Sequence, residues 1–225
     1  MKQKTLFLIL ATVIPAGLYA AYAATEVYIW RCLIIFWLLG LALWLILSAP
    51  KERRDKYMKF IPAAFGFSIV GDYLLHLAHD RGAMFFIAGV IAYFIAHMSY
   101  IGFTMRKGNV NWWMFALLCV IFGLYFVFLL IPGIDSTGIR IAVLAYIFVS
   151  AFSVSTASAT PFGPTMDRTA KILTLYGICS LVVSDILLSL HDFAGISTGY
   201  FLMLPLFYLS QVLVTCGLIH QTARR

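Results

Sequence analysis

Residues 112–131 read WWMFALLCVIFGLYFVFLLI, a run without a charged side chain and without strand-like alternation. Hydrocarbon about 30 Å thick takes roughly 20 apolar residues to cross as a helix, so this stretch predicts a transmembrane helix. Working outward in both directions, the same reading recurs near residues 5–23, 30–49, 58–78, 83–104, 138–158, 169–190 and 199–220. Only helices and closed barrels satisfy their backbone groups in lipid, and runs this long are not barrel strands. The fold class expected is an all-α membrane protein of eight transmembrane helices.

Composition agrees. The chain is 63% hydrophobic and 11% charged, with a mean hydropathy of +0.96, which is outside the range of soluble domains. Eight spans and their loops use up the 225 residues, so a single transmembrane domain over 1–225 is expected, with no room left for a soluble one. Leu6 to Ala23, preceded by Lys2 and Lys4 and closed by Ala21-Tyr22-Ala23, has the outline of a signal peptide. Its length and the charge distribution favour a retained first helix.

The formal charge of +7 does not point to nucleic acid, because the basic residues sit at the ends of apolar runs and not along one stripe. They read as topology signals. Lys2, Lys4, Lys51, Arg53, Arg54, Lys56, Lys59, Arg106, Lys107, Arg168, Lys171, Arg224 and Arg225 fall on one side, 13 of the 16, and Arg31, Arg81 and Arg140 on the other. By the positive-inside rule both termini are expected in the cytoplasm, in a multi-pass protein of a bacterial-type inner membrane. Pro132-Gly133 marks the end of helix five, and Pro161-Phe162-Gly163-Pro164 the loop after helix six. Ser150, Ser153, Ser155, Thr156 and Ser158 on helix six suit close helix contact more than a polar cavity. Cys32, Cys119, Cys179 and Cys216 fall singly in apolar runs, without metal-type spacing, and read as small buried hydrophobes.

Two apolar runs carry an aspartate in matching surroundings: Gly71-Asp72-Tyr73-Leu74-Leu75-His76-Leu77 in helix three, Ser184-Asp185-Ile186-Leu187-Leu188-Ser189-Leu190 in helix seven. His79-Asp80 and His191-Asp192 follow each motif, at the expected outer mouth, where solvation accounts for them. The next helix of each half carries Tyr93 with His97, or Tyr208 with Gln211. Helices three and seven are four apart and cross in one direction, so a parallel-topology repeat of four helices plus four is implied, with halves near 1–107 and 108–225. Such repeats place corresponding residues around an axis along the membrane normal, and Asp72 and Asp185 should face one cavity. Each insertion of a carboxylate into hydrocarbon costs about 2.5–3.5 kcal/mol on translocon scales, so the pair is the leading functional candidate. Ser68, Asp72 and His76 share one helical face, as do Gly89, Tyr93, His97 and Tyr100. No nucleophile elbow, zinc-protease helix, P-loop or dinucleotide fingerprint is present. The chemistry left is acid–base chemistry by carboxylates.

These residues resemble the YhhN-like lysoplasmalogenase family: eight helices, Gly71-Asp72-x-Leu-Leu on helix three, Gly89 to His97 to Tyr100 on helix four, Ser184-Asp185 on helix seven, and Tyr208-x-x-Gln211 on helix eight. One position departs from the family pattern, which leads one to expect a Lys-Pro pair early in helix two where this chain has Arg31-Cys32. Whether Arg31 then meets a lipid phosphate is left open. The resemblance implies hydrolysis of the vinyl ether bond of lysoplasmalogens to a fatty aldehyde and a glycerophospho-alcohol. It further implies Asp72 and Asp185 as the catalytic pair, with Tyr93, His97, Tyr100, Tyr208 and Gln211 orienting headgroup or water. The partner is a lysophospholipid or ether lipid reached through the membrane, and no metal or organic cofactor is required. Two other classes fit the same residues: a small proton-coupled transporter, for which Pro15, Pro62 and Pro205 are candidate helix breakers, and a non-enzymatic lipid-binding protein.

Overall fold

A computed structural model describes residues 2–51, 54–105, 109–159 and 167–222. Arg53, Arg106, Lys107, the Pro161–Pro164 turn, Arg224 and Arg225 lie outside the described residues, as do the side chains of Lys2 and His79. The helices are α1 (Lys2–Thr25), α2 (Tyr28–Ser48), α3 (Phe60–Arg81), α4 (Ala83–Thr104), α5 (Trp112–Tyr125), α6 (Thr137–Ala159), α7 (Arg168–Ala194) and α8 (Met203–Thr222). All eight spans they form are long and apolar enough to cross a membrane, and among the described residues there is no strand.

Local chemistry sets the boundaries. α3 and α4 are separated by Gly82 alone, at φ +86°, a conformation that glycine adopts without the Cβ penalty, and the chain turns back on itself there. Asn111 caps α5 by accepting from the Met114 amide at 3.1 Å, and Asp167 caps α7 by accepting from Thr169 at 2.9 Å. Gly195, in the left-handed region, ends α7 with its amide on the Leu190 carbonyl. Helix five does not run regularly to Pro132. Its last turn widens into a π-turn over Phe126–Leu130 and then tightens into a 3₁₀ turn over Ile131–Gly133, a local irregularity of the kind often found at functional sites.

Packing repeats between the halves. α3 lies along α4 as α7 lies along α8; α2 meets α3 as α6 meets α7; and across the middle α4 packs on α6 as α8 packs on α2. Small residues make the hairpins close: a Cβ on Gly177 would stand 2.9 Å from the Ser210 carbonyl oxygen, and one on Gly217 3.1 Å from that of Ala170. The outer helices break the symmetry. α1 reaches α8 as well as α2, held by the Trp37 indole donating to the Leu10 carbonyl at 2.9 Å. α5 has no fully buried residue, and large apolar side chains such as Trp113 and Phe128 point outward, as a surface solvated by lipid requires.

The hydroxyl-rich stretch of α6 faces α4: Thr104 donates to Thr156 at 2.8 Å, Ser153 meets His97, and Ser150, Ser153 and Ser155 also bond back to their own helix. All four cysteines are free, but only Cys216 is fully buried, a correction to the expectation for Cys32, Cys119 and Cys179. The three reach the periphery because apolar side chains need no shelter from lipid.

A very close backbone approach joins the 3₁₀ turn after α5 to α7. A Cβ added to Gly133 would lie 1.6 Å from the Phe193 carbonyl oxygen, and backbone on both sides leaves it nowhere to go. Gly133→Ala is expected to cost at least about 1–3 kcal/mol, the range for overpacking, read as a lowered thermal midpoint in detergent. An unchanged midpoint would mean that α5 is not seated on α7 in this way.

Candidate functional site

Asp72 and Asp185 line one cavity of about 820 Å³. Its walls come from the C-terminal halves of α3 and α7, the N-terminal parts of α2, α4, α6 and α8, and the end of α5. The helices therefore alternate in direction, with α3 and α7 running the same way. The opposite end of the bundle is tied by Lys4, whose ammonium lies 3.1 Å from the His220 ring. Most of the wall is apolar, including Leu75, Val90, Phe122, Val143, Leu204 and Phe207, while Asp80, His191 and Asp192 sit at the bundle end. His191 pairs with Asp192 at 2.9 Å and stacks on Tyr200 at 3.9 Å.

The two carboxylates have different partners in equivalent places. Asp72 is 7% exposed. Arg31 Nη2 of α2 donates to its Oδ1 at 2.6 Å, and the Tyr28 hydroxyl makes a long contact to Oδ2 at 3.4 Å. Tyr28 in turn stacks on His76 at 4.1 Å and lies under the guanidinium. Tyr208 of α8 stands beside Arg31; among the described residues its hydroxyl, Arg31 Nε, Ser68 Oγ and Gln211 Nε2 are buried without a hydrogen-bond partner.

Among the described residues, Asp185 meets no permanent cation of this kind. The Tyr146 hydroxyl of α6 lies 2.6 Å from its Oδ2. His97 of α4, fully buried, has Nε2 3.0 Å from the same hydroxyl and 3.5 Å from Oδ2. Its Nδ1 is 3.0 Å from Ser153 Oγ, which donates to the Ser150 carbonyl at 2.8 Å. Each half thus repeats one plan: an aspartate on the third helix, its partner on the second helix of the same half, and behind that a residue on the fourth helix of the other half. The first half fills the plan as Asp72, Arg31 and Tyr208, the second as Asp185, Tyr146 and His97.

Of the residues expected to orient headgroup or water, Tyr93 alone lines the cavity, its ring packed on Gly71 and its hydroxyl within electrostatic reach of both aspartates. His97, Tyr100, Tyr208 and Gln211 stand behind the wall. Tyr100 donates to Gln211 Oε1 at 2.9 Å, so that pair ties α4 to α8. The reason is geometric: a residue on the same helical stripe as Tyr93 but deeper along α4 meets α6 and α8, not the cavity.

Sequence reasoning left out Tyr146, Tyr28 and Tyr125, and it read Arg31 as a topology charge and a candidate contact for a lipid phosphate, not as the partner of Asp72. A buried carboxylate demands a partner, and Arg31, near the start of the preceding helix, was a basic residue within reach of that demand. No sequence signal separated Tyr146 from the other eleven tyrosines. Tyr125, the last residue of α5 before the π-turn, meets Ser189 Oγ at 2.6 Å, and Ser189 donates to the Asp185 main-chain carbonyl at 2.9 Å.

The sequence model of the YhhN family matches residues 27–218. The chain belongs to the YhhN family. Every cavity-lining residue, from Arg31 to Phe207, falls inside that match, and α1, which lines none of the cavity, falls outside it. The YhhN region is thus the part of the chain that builds the site. No curated protein and no solved structure matches the chain. The two aspartates by which the sequence resembled this family are the two that share the cavity.

Proposed function

We propose that this YhhN protein hydrolyses the vinyl ether bond of lysoplasmalogens inside the membrane, releasing a fatty aldehyde and a glycerophospho-alcohol by carboxylate acid–base catalysis. The observation that carries the proposal is the placement of two inequivalent aspartates, one facing a guanidinium and one facing neutral hydrogen-bonding groups, in one mostly apolar cavity. The family includes lysoplasmalogenases.

Vinyl ethers resist base and cleave when an acid protonates the β-carbon. The π pair forms the new C–H bond, and the remaining cation is shared between the α-carbon and the ether oxygen. Water then adds to that carbon and gives its proton to a carboxylate. The hemiacetal collapses to aldehyde, its hydroxyl proton passing to the leaving oxygen. Dividing these tasks between an acid and a charged stabiliser is the logic of two-carboxylate glycosidases. A volume of about 820 Å³ matches the size of small-molecule sites and takes the vinyl ether end of a lysolipid, with its chain between helices. Asp80 and Asp192 at the mouth suit a headgroup ammonium.

Transport is the weaker reading. Pro62 and Pro205 occupy the first turns of α3 and α8, where proline interrupts no helix; Pro15 lies inside α1, which lines none of the cavity, and the cavity draws its lining from one end of the bundle. The direct test is aldehyde release from lysoplasmenylethanolamine by purified protein in detergent. Turnover that is absent from the saturated alkyl ether analogue is expected; none from folded protein would sink the vinyl ether substrate.

A further inference from the structure

Behind Asp185 the hydrogen bonds form a line: Asp185 Oδ2, the Tyr146 hydroxyl at 2.6 Å, His97 Nε2 at 3.0 Å, and His97 Nδ1 to Ser153 Oγ at 3.0 Å. Ser153 fixes the sense at the far end. Its proton goes to the Ser150 carbonyl, so its oxygen accepts and His97 Nδ1 carries a hydrogen. Two arrangements of the rest then satisfy every group. In one, His97 is an imidazolium, Nε2 donates to the Tyr146 oxygen, and Tyr146 donates to an ionised Asp185. In the other, His97 is neutral, Tyr146 donates to Nε2, and a protonated Asp185 donates to Tyr146. Both hold the same number of protons. They interconvert as His97 Nε2–H passes to Tyr146 and the Tyr146 hydrogen passes to Oδ2, two bonds broken and two formed, with no heavy atom moving.

We infer that His97 is the proton store of this site, and that Tyr146 delivers its proton to Asp185, the acid, when an apolar substrate dries the cavity. The inference rests on the proposed hydrolysis and assigns the acid within it. The driving force is desolvation. Asp185 is 20% exposed to the cavity while His97 is sealed, so with water in the cavity the separated charges are solvated at the carboxylate end. Filling the cavity with hydrocarbon removes that solvation and favours the neutral pair. The acid is then generated only with substrate in place.

The other groups around the line are compatible with this. Tyr93 and Tyr100 of α4 lie within electrostatic reach of Asp185, and Tyr125, through Ser189, reaches its main-chain carbonyl; all three are phenols. Arg31, the one arginine or lysine lining the cavity among the described residues, is committed to Asp72, which is thereby the charged partner able to stabilise the oxocarbenium ion. In the first half, Arg31 occupies the place of Tyr146, and a guanidinium relays no proton.

The test uses the full chain in detergent with ¹⁵N-labelled histidine, His97 being assigned by its loss in His97→Gln. Expected is an imidazolium spectrum for His97 without ligand and a neutral, Nδ1-protonated one with saturating alkyl ether lysolipid. Asp185→Asn should fix the neutral form regardless of ligand, because its amide donates to Tyr146 as the protonated acid does. Tyr146→Phe should abolish the response to ligand and lower kcat roughly 10- to 100-fold at unchanged KM, the factor for one hydrogen bond to a charged group. His97→Gln should show the same kcat loss, which serves if Tyr146→Phe does not fold. A His97 spectrum indifferent to both ligand and residue 185 would overturn the store. So would full kcat in Tyr146→Phe with an active wild type, and that result leaves the hydrolysis standing. An inactive wild type with the coupling intact would instead sink the hydrolysis and leave the proton store.

Discussion

Asp185→Asn is expected to lower aldehyde release by roughly 10²- to 10⁴-fold, the usual contribution of a general acid, while leaving the protein folded. The substitution keeps the size of the side chain. It leaves no charge unpaired, since its partner is the neutral Tyr146 phenol and His97 is free to give up its proton. Turnover and thermal midpoint measured on one preparation separate the two effects. Wild-type turnover in folded Asp185→Asn would remove this residue from the chemistry.

Arg31→Met should act in the opposite way, on the fold first. It leaves the Asp72 carboxylate, 7% exposed, with the long Tyr28 contact as its one remaining hydrogen bond among the described residues. Stranding one member of a buried ion pair costs about 3–5 kcal/mol, a large fraction of the stability of an ordinary domain. The double variant Arg31→Met with Asp72→Leu removes both charges and is expected to regain most of that loss, since apolar replacements of buried pairs are often neutral or better. It should remain inactive. The comparison is made by thermal unfolding of the two variants beside wild type. A single variant as stable as wild type would show that Arg31 is dispensable for holding Asp72, and the charged half of the site would need another explanation.

These contrasts expose the logic of the repeat. Two halves that began with the same motif around Asp72 and Asp185 place different residues at one position of the plan, Arg31 in the first and Tyr146 in the second. In the proposed mechanism that difference turns a symmetric pair of aspartates into a fixed anion and a proton carrier. An acid and a stabiliser need such asymmetry, and it is supplied from α2 and α6, not from the helices that bear the aspartates.

The eight helices were legible because lipid imposes length and apolarity directly on the chain: all eight expected runs coincide with helices to within a few residues. The shared cavity was legible too, because a parallel repeat with two costly carboxylates in matching motifs leaves few places to put them. The partners were not. Whether a tyrosine anchors an interface, packs a core or donates to Asp185 depends on which helix lies opposite it, and periodicity within one helix carries no information about its neighbour. His97, Tyr100, Tyr208 and Gln211 share faces with the site in sequence, yet α6 and α8 close over them. The sequence by itself determined a membrane bundle built twice over around Asp72 and Asp185. Only the packing of α4 on α6 and of α8 on α2 decided that one aspartate faces a guanidinium and the other a phenol backed by an imidazole, because hydrogen bonds between helices exist only once the helices are side by side.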